Sequence, residues 1–460
     1  MQTLPILYFI PLALAVLGAL LVLFPRLVAE EAFSVVFSFG ALIASGIIAF
    51  SPNHFDHFVY VDGFSKLMLL LISLVWAAAV LYSIAYLPHI KNPLFHKRYF
   101  FFLLNSFMAV MLSAVTMDNL GLVWFSIEAT TVTGALLVAT DNSESAVEAS
   151  WRFIIIVSSG LVIALIACIF LYSATGTLSL TELKKGVNSS ALATTAALLA
   201  VVGFGTKGGL FPMFTWLPDV HGKAPSPISA ILSALNLPVA IFAMTRFLGV
   251  APFPLAKEVL FIMALITLVV ATFLLSVQSD LKRLFAYSTI ENMGIIMVGI
   301  SLGGIGAIGA VLIILSHGVS KSAAFFLSGN VVIEYGTVRI ASLRGIGKRL
   351  PATGLALFFS ALSVTGAPPF LSFFGELIIL GAIWARYGAL LALIVGTLIA
   401  LSFMALNFKV AGVVFSPTNR EKSPLSPLSV VVPIVILIVG FILLFFVPAI
   451  EEMLKGALGL

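Results

Sequence analysis

The sequence predicts an all-α polytopic membrane protein of about fourteen transmembrane helices. Three observations carry this. Of the 460 residues, 61% are hydrophobic and 9% are charged, whereas a soluble domain has roughly 25% charged residues. Mean hydropathy is +1.18. The apolar runs are continuous rather than alternating, which argues against a β-barrel, and each is near the ~20 residues a helix needs to cross a bilayer.

In chain order the spans fall near 3–24, 31–50, 64–86, 99–117, 119–140, 149–174, 191–217, 227–249, 256–277, 282–301, 304–329, 352–385, 388–414 and 428–449. The first, Leu4–Phe24, has no basic segment ahead of it (the first charge is Arg26) and no A-x-A site. It reads as a membrane span rather than a cleaved signal. The seventh and twelfth spans are interrupted. In the seventh, Gly208 and Gly209 weaken the helix and Pro212 removes a backbone donor. In the twelfth, the break is Thr365-Gly366-Ala367-Pro368-Pro369.

The two breaks lie five spans apart, and five is odd. Spans 4–8 and 9–13 are therefore expected to be inverted repeats with broken helices 7 and 12, an arrangement that places an ion or substrate site at the breaks. The expected organisation is a three-helix segment over 1–98, five-helix repeats over 99–249 and 250–414, and a C-terminal helix over 415–460. The longest polar connections, 51–63, 87–98 and 415–427, are too short to fold alone.

Fifteen of the 24 Lys and Arg residues fall in loops after odd-numbered spans, including Arg26, Lys223, Arg283 and Arg420. Seven fall on the other side, and Lys207 and Lys321 lie within spans. The positive-inside rule then puts both termini outside. The net charge of +5 is scattered among loops, so it reads as topology and not as a nucleic-acid footprint. The single Cys168 excludes an intrachain disulfide and a Cys-ligated cluster. There is no phosphate-binding loop or dinucleotide fingerprint. Energy is expected from an ion gradient or from partner subunits.

The chemistry is carried by charges inside spans. Placing Lys207 at bilayer depth costs on the order of 2.5 kcal/mol or more, and a broken helix there is tolerated only beside protein or a water-filled cavity. Glu128 sits near the middle of span five, either as a partner for Lys207 or as an interhelical contact satisfied by Ser126 or Thr130. A buried carboxylate beside a buried lysine favours charge on both, so separating them is a way to gate proton entry. His317 and Lys321 share a face of span eleven at i,i+4 spacing and read as a proton relay or as structural hydrogen bonding. Glu376, after the second break, reads as an exit group or a helix cap. Glu291 lies nine residues into span ten, with function and structure evenly balanced. Asp219 and His221 read as a solvated channel mouth or loop anchor. No metal site is expected: one His with no nearby Cys or paired carboxylates lacks ligand spacing.

The run FGTKGGLFPMFTWLPDVHGKAPSPISAILSA resembles the seventh-to-eighth-helix signature of the antiporter-like, proton-conducting subunits of respiratory complex I. The same fold occurs in Mrp-type antiporters and membrane-bound group 4 hydrogenases, and the similarity covers nearly the whole chain. By this resemblance Glu128 is the fifth-helix glutamate and Lys207 the seventh-helix lysine. His317 and Lys321 match the eleventh-helix H-x-x-x-K, and Glu376 matches the ionisable residue of the broken twelfth helix. FAYSTIENMGI, with Glu291, and FFLSGNVVIEYGTVRIASLRGIG are similar to hydrogenase-4 component F, which places the chain nearer that branch than complex I, with Mrp third.

One departure stands out. The family pattern has a lysine in the eighth helix, but here the stretch is Ser233-Ala234-Leu235-Asn236-Leu237-Pro238, with Pro238 at the lysine's place. Asn236, water and the His317–Lys321 pair are the candidates for the lateral link. The resemblance implies a proton-translocating subunit (H⁺, with Na⁺ open) in a prokaryotic cell membrane, without cofactor or redox site of its own. Fe–S, Ni–Fe or flavin centres are expected in partner membrane and peripheral subunits. The rival reading is a stand-alone secondary transporter, whose site residues would cluster rather than spread over spans 5, 7, 10, 11 and 12.

Overall fold

A computed structural model describes residues 6–24, 30–187, 190–419, 421–455 and 457. Arg26, Arg420 and the start of the first expected span lie outside the described residues. The main helices are α1 (Ile6–Val22), α2 (Glu30–Phe50), α3 (Gly63–Tyr86), α4 (Lys97–Thr116), α5 (Leu120–Val138), α6 (Glu144–Thr175), α7 (Ala191–Gly208) and α8 (Trp216–Lys223). They continue as α9 (Ser226–Ile231), α10 (Leu237–Leu248), α11 (Pro254–Ser276), α12 (Leu281–Leu302), α13 (Gly304–Tyr335), α14 (Pro351–Val364), α15 (Leu371–Tyr387), α16 (Ala389–Phe415), α17 (Pro427–Ile442) and α18 (Val447–Lys455).

Twelve stretches among the described residues are long and apolar enough to cross a membrane. The remaining two expected spans correspond to α1, of 17 residues, and to the interrupted pair α14 and α15. Two helices run past their expected ends. Both α6 and α13 have 32 residues, about 48 Å at 1.5 Å per residue, so each projects beyond the hydrocarbon. Ser143 caps α6 by accepting from the Ala146 amide, which starts that helix early. Both helices stop at a left-handed glycine, Gly176 or Gly336, the usual way to terminate a helix without a Cβ clash.

Burial is graded across the bundle. The apolar window of α13 is 100% buried and that of α12 is 94% buried, against 28% for α16 and 22% for the α17–α18 stretch. The peripheral helices carry their large apolar side chains outward, such as Leu390, Leu393 and Phe408 on α16.

Lipid tails are as apolar as leucine, so close packing and hydrogen bonds must hold membrane helices together. Glycines allow that approach where it positions the charges. A Cβ on Gly375 would lie 2.7 Å from the Gly309 carbonyl oxygen, so α15 and α13 meet backbone to backbone one residue before Glu376. A Cβ on Gly203 would lie 2.5 Å from the Ala164 nitrogen, so α7 meets α6 in the same way, one turn before Lys207. A second tie joins α3 to α10. Arg246 donates to both carboxylate oxygens of Asp62, each side chain almost wholly buried. The guanidinium carbon sits 5.1, 5.7 and 4.6 Å from the rings of Tyr60, Phe64 and Phe242.

Candidate ion path

The first break ends α7 at Gly209, left-handed at φ +88°. Its loosened backbone is satisfied by protein. The Trp216 indole donates to the Thr206 carbonyl at 3.2 Å, and the Phe211 amide donates to Thr267 at 2.9 Å. An irregular backbone at membrane depth is stable only on those terms.

Lys207 is fully buried in the last turn of α7. Its Nζ donates to the Ile127 carbonyl at 2.6 Å, Thr130 at 2.5 Å and Thr131 at 2.9 Å, all on α5. The expected Glu128–Lys207 contact is not an ion pair. Glu128 is half-buried and accepts from Ser158 of α6 at 2.6 Å, while its Oε2 has no hydrogen-bond partner among the described residues. The reason is angular. Ile127, Thr130 and Thr131 share the face of α5 turned to Lys207, and Glu128 stands one residue, about 100°, further round toward α6. Neither Ser126 nor Thr130 satisfies Glu128. Ser126 donates to Leu122, and Thr130 donates to Ile127 or Asn236.

On the other side of the centre, Lys321 is equally buried. Its Nζ donates to the Phe285 carbonyl at 2.7 Å and to the Ser288 hydroxyl, both on α12. The two lysines thus share one kind of cradle: a backbone carbonyl at position i and a hydroxyl at i+3. His317 lies on the same face of α13 as Lys321 but takes different partners. Its Nδ1 faces Asn292 Oδ1 at 2.9 Å, and its Nε2 faces the Ser233 carbonyl at 3.3 Å. Asn292 Nδ2 donates to Glu291 at 2.6 Å, which fixes the amide's orientation and brings Glu291 into the same chain.

Glu376 is buried in the sixth position of α15, past the first turn, so the helix-cap reading does not hold. Its carboxylate lies against the second break, since a Cβ on Gly366 would fall 2.2 Å from Oε2. Asp219 is half-exposed between Arg152 at 3.1 Å and Arg283 at 2.7 Å. It lines a recess of about 410 Å³ with Lys223, Asp280 and Arg283. His221 does not share that setting. It is fully buried, stacked on Phe325 at 5.2 Å, and neither ring nitrogen has a hydrogen-bond partner among the described residues. Asp219 and His221 are only two residues apart, but two residues are about 200° of rotation on α8, which turns one toward solvent and the other into the bundle.

The expected lysine position in the eighth span, Pro238, lies just after a π turn over Leu232–Asn236. Asn236 accepts from Thr130 at 3.0 Å, and Ser233 Oγ meets Thr289 at 2.7 Å. Sequence reasoning missed Thr131, Ser158, Ser288 and Asn292, and offered Thr130 to Glu128 rather than to Lys207. Neutral hydroxyls and amides are ordinary in spans, and only the charged groups they touch single them out. No group of three or more potential metal ligands occurs among the described residues.

Two broken helices and a string of buried ionisable groups at mid-bundle define an antiporter-like integral membrane subunit. Residues 117–402 match the family described as NADH:quinone oxidoreductase/Mrp antiporter, transmembrane region, and the chain belongs to that family. It is 34% identical over 415 residues to a hydrogenase-4 component F homolog of Methylacidiphilum infernorum, covering 85% of this chain and 86% of the relative. It is 29% identical over 408 residues to NADH-quinone oxidoreductase subunit N of Desulforudis audaxviator, covering 84% and 81%. A chain of respiratory complex I from Thermus thermophilus shares the fold, with a TM-score of 0.86 at 21% identity over 98% of this chain and 99% of that one.

Proposed function

We propose that this chain is a proton-translocating membrane subunit of a multi-subunit redox complex, nearer in kind to hydrogenase-4 or formate hydrogenlyase than to NADH dehydrogenase. The observation that carries the reading is the pair of fully buried lysines, each held by neutral oxygens alone. An ammonium in hydrocarbon with no carboxylate in hydrogen-bond contact is costly, and releasing its proton removes that cost. Such a group is suited to alternate between loaded and empty.

The proposed route takes protons from the side of Asp219 to Lys207, with Glu128 setting the local field from the α5–α6 edge. It continues through His317 and Lys321, with Glu291 joined by Asn292, and ends at Glu376 beside the second break. Redox centres belong to partner subunits, which drive the charge changes. The names of the relatives, a hydrogenase component and a quinone oxidoreductase subunit, support membership of such a complex. The family's Mrp branch keeps a Na⁺/H⁺ antiporter subunit as a second reading, because the oxygens around Lys207 would also suit a small cation.

Ion uptake into inverted vesicles holding the assembled complex tests both. Lys207→Ala is expected to abolish acidification while electron transfer continues. Unchanged acidification would overturn the proton path, and ²²Na⁺ uptake that disappears in Lys207→Ala would favour the antiporter reading.

A further inference from the structure

Pro238 stands where the family pattern has a lysine, yet the helix around it is not idle. In a π turn each carbonyl faces the amide five residues on. For Ser233 that residue is Pro238, which has no N–H. The Ser233 carbonyl therefore lacks its π-turn amide, and it is the oxygen that faces His317 Nε2 at 3.3 Å. Three residues along the same turn, Asn236 Oδ1 accepts from Thr130, which itself accepts from Lys207. The five-residue turn thus touches the Lys207 cradle with one end and His317 with the other.

Thr130 has one hydroxyl proton and two acceptors within reach, the Ile127 carbonyl at 2.8 Å and Asn236 at 3.0 Å. While Lys207 is an ammonium it donates to both Ile127 O and Thr130 Oγ1; with the helical Thr131 N–H this occupies both lone pairs of the carbonyl and turns the Thr130 proton toward Asn236. A neutral Lys207 has one N–H fewer and a lone pair. The Thr130 proton can then return to Ile127 or point at the amine, and Asn236 loses its donor. Asn236 Nδ2 is buried and has no partner among the described residues, so nothing else fixes the amide's orientation.

We propose that the π turn at Leu232–Asn236 is the joint that couples Lys207 to His317, with Asn236 as the positioning residue that reads the loaded state of Lys207 and the Ser233 carbonyl as the contact that passes it on. The inference rests on the proton path proposed above. A lysine at this place would link the two halves by a moving charge. Here the link is dipolar, made by one hydroxyl rotor, one amide and one backbone carbonyl.

The test uses the assembled complex in inverted vesicles, with acidification per electron transferred as the readout. Thr130→Val, which removes a hydrogen bond to a charged group, is expected to lower that ratio by at least about tenfold, and Asn236→Leu, which removes a neutral one, by at least about threefold. The double variant is expected to be no worse than Thr130→Val alone, since both break one chain, and Thr130→Ser is expected to pump as the native chain does. If Asn236→Leu or Thr130→Val pumps normally while Lys207→Ala does not, the joint is refuted and the path stands. Effects that multiply in the double variant refute it too. If Lys207→Ala also pumps normally, the path itself falls and the joint with it. Should Asn236→Leu fail to assemble, the Thr130 pair carries the test.

Discussion

Removing the charge of Asp62 is expected to destabilise the membrane domain by several kcal/mol. Asp62→Asn keeps the size of the side chain and an oxygen that can still cap α3 by accepting from the Ser65 amide, at 3.0 Å in the native chain. What it removes is the counter-charge of Arg246, whose side chain is 4% exposed. Leaving one partner of a buried ion pair uncompensated costs about 3–5 kcal/mol. Three aromatic rings remain around the guanidinium, and each such contact retains on the order of 0.5–2 kcal/mol of attraction, so the lower end, near ~3 kcal/mol, is expected. Replacing both charges relieves the penalty, because an apolar pair of similar volume is often neutral or better. Asp62→Asn/Arg246→Met should therefore be closer to the native chain than Asp62→Asn alone. The assay is the fraction of intact complex recovered from detergent after graded heating, by size-exclusion chromatography. A single variant indistinguishable from native, or a double variant worse than the single, would refute the reasoning.

Lys321→Ala is expected to abolish acidification as Lys207→Ala does, since the two share one kind of cradle; acidification at native level in vesicles would remove Lys321 from the path. Gly375→Ala places a methyl 2.6 Å from Ile313 and 2.7 Å from the Gly309 carbonyl, an overpacking expected to cost about 1–3 kcal/mol and to lower the heat-stable fraction. Gly381→Ala, with no atom within 4 Å of the added methyl, is the control expected to behave as native. Asp219→Asn should cost less than about 1 kcal/mol, because half-exposed ion pairs contribute little, and leave that fraction near native; a loss like that of Asp62→Asn would show that Asp219 is not at a solvated rim.

Much of this was legible in the sequence for reasons that act along one dimension. Length and hydropathy decide how many helices can cross, and the cost of a charge in hydrocarbon singles out Lys207, Lys321 and Glu128 without knowledge of their neighbours. Gly208, Gly209 and Pro212, and Gly366, Pro368 and Pro369, cluster closely enough to mark breaks, whereas the isolated Pro11 and Pro433 lie inside helices. The family pattern also marked Pro238 as a departure. It could not say what the backbone does there, because a π turn forms only in a helix held by its neighbours.

The sequence by itself determined a bundle of membrane-spanning helices, two of them broken, with a few ionisable groups too costly to be incidental. Tertiary structure alone decided who meets whom. Spacing offered Glu128 to Lys207 and paired Asp219 with His221, but helix rotation turned Glu128 toward Ser158, gave Lys207 the hydroxyls of Thr130 and Thr131, and buried His221 behind a solvated Asp219. A step of about 100° per residue separates groups that are adjacent in sequence, and the direction in which each helix faces is fixed by the glycine contacts, the interhelical hydrogen bonds and the buried Asp62–Arg246 pair that lock it against the others.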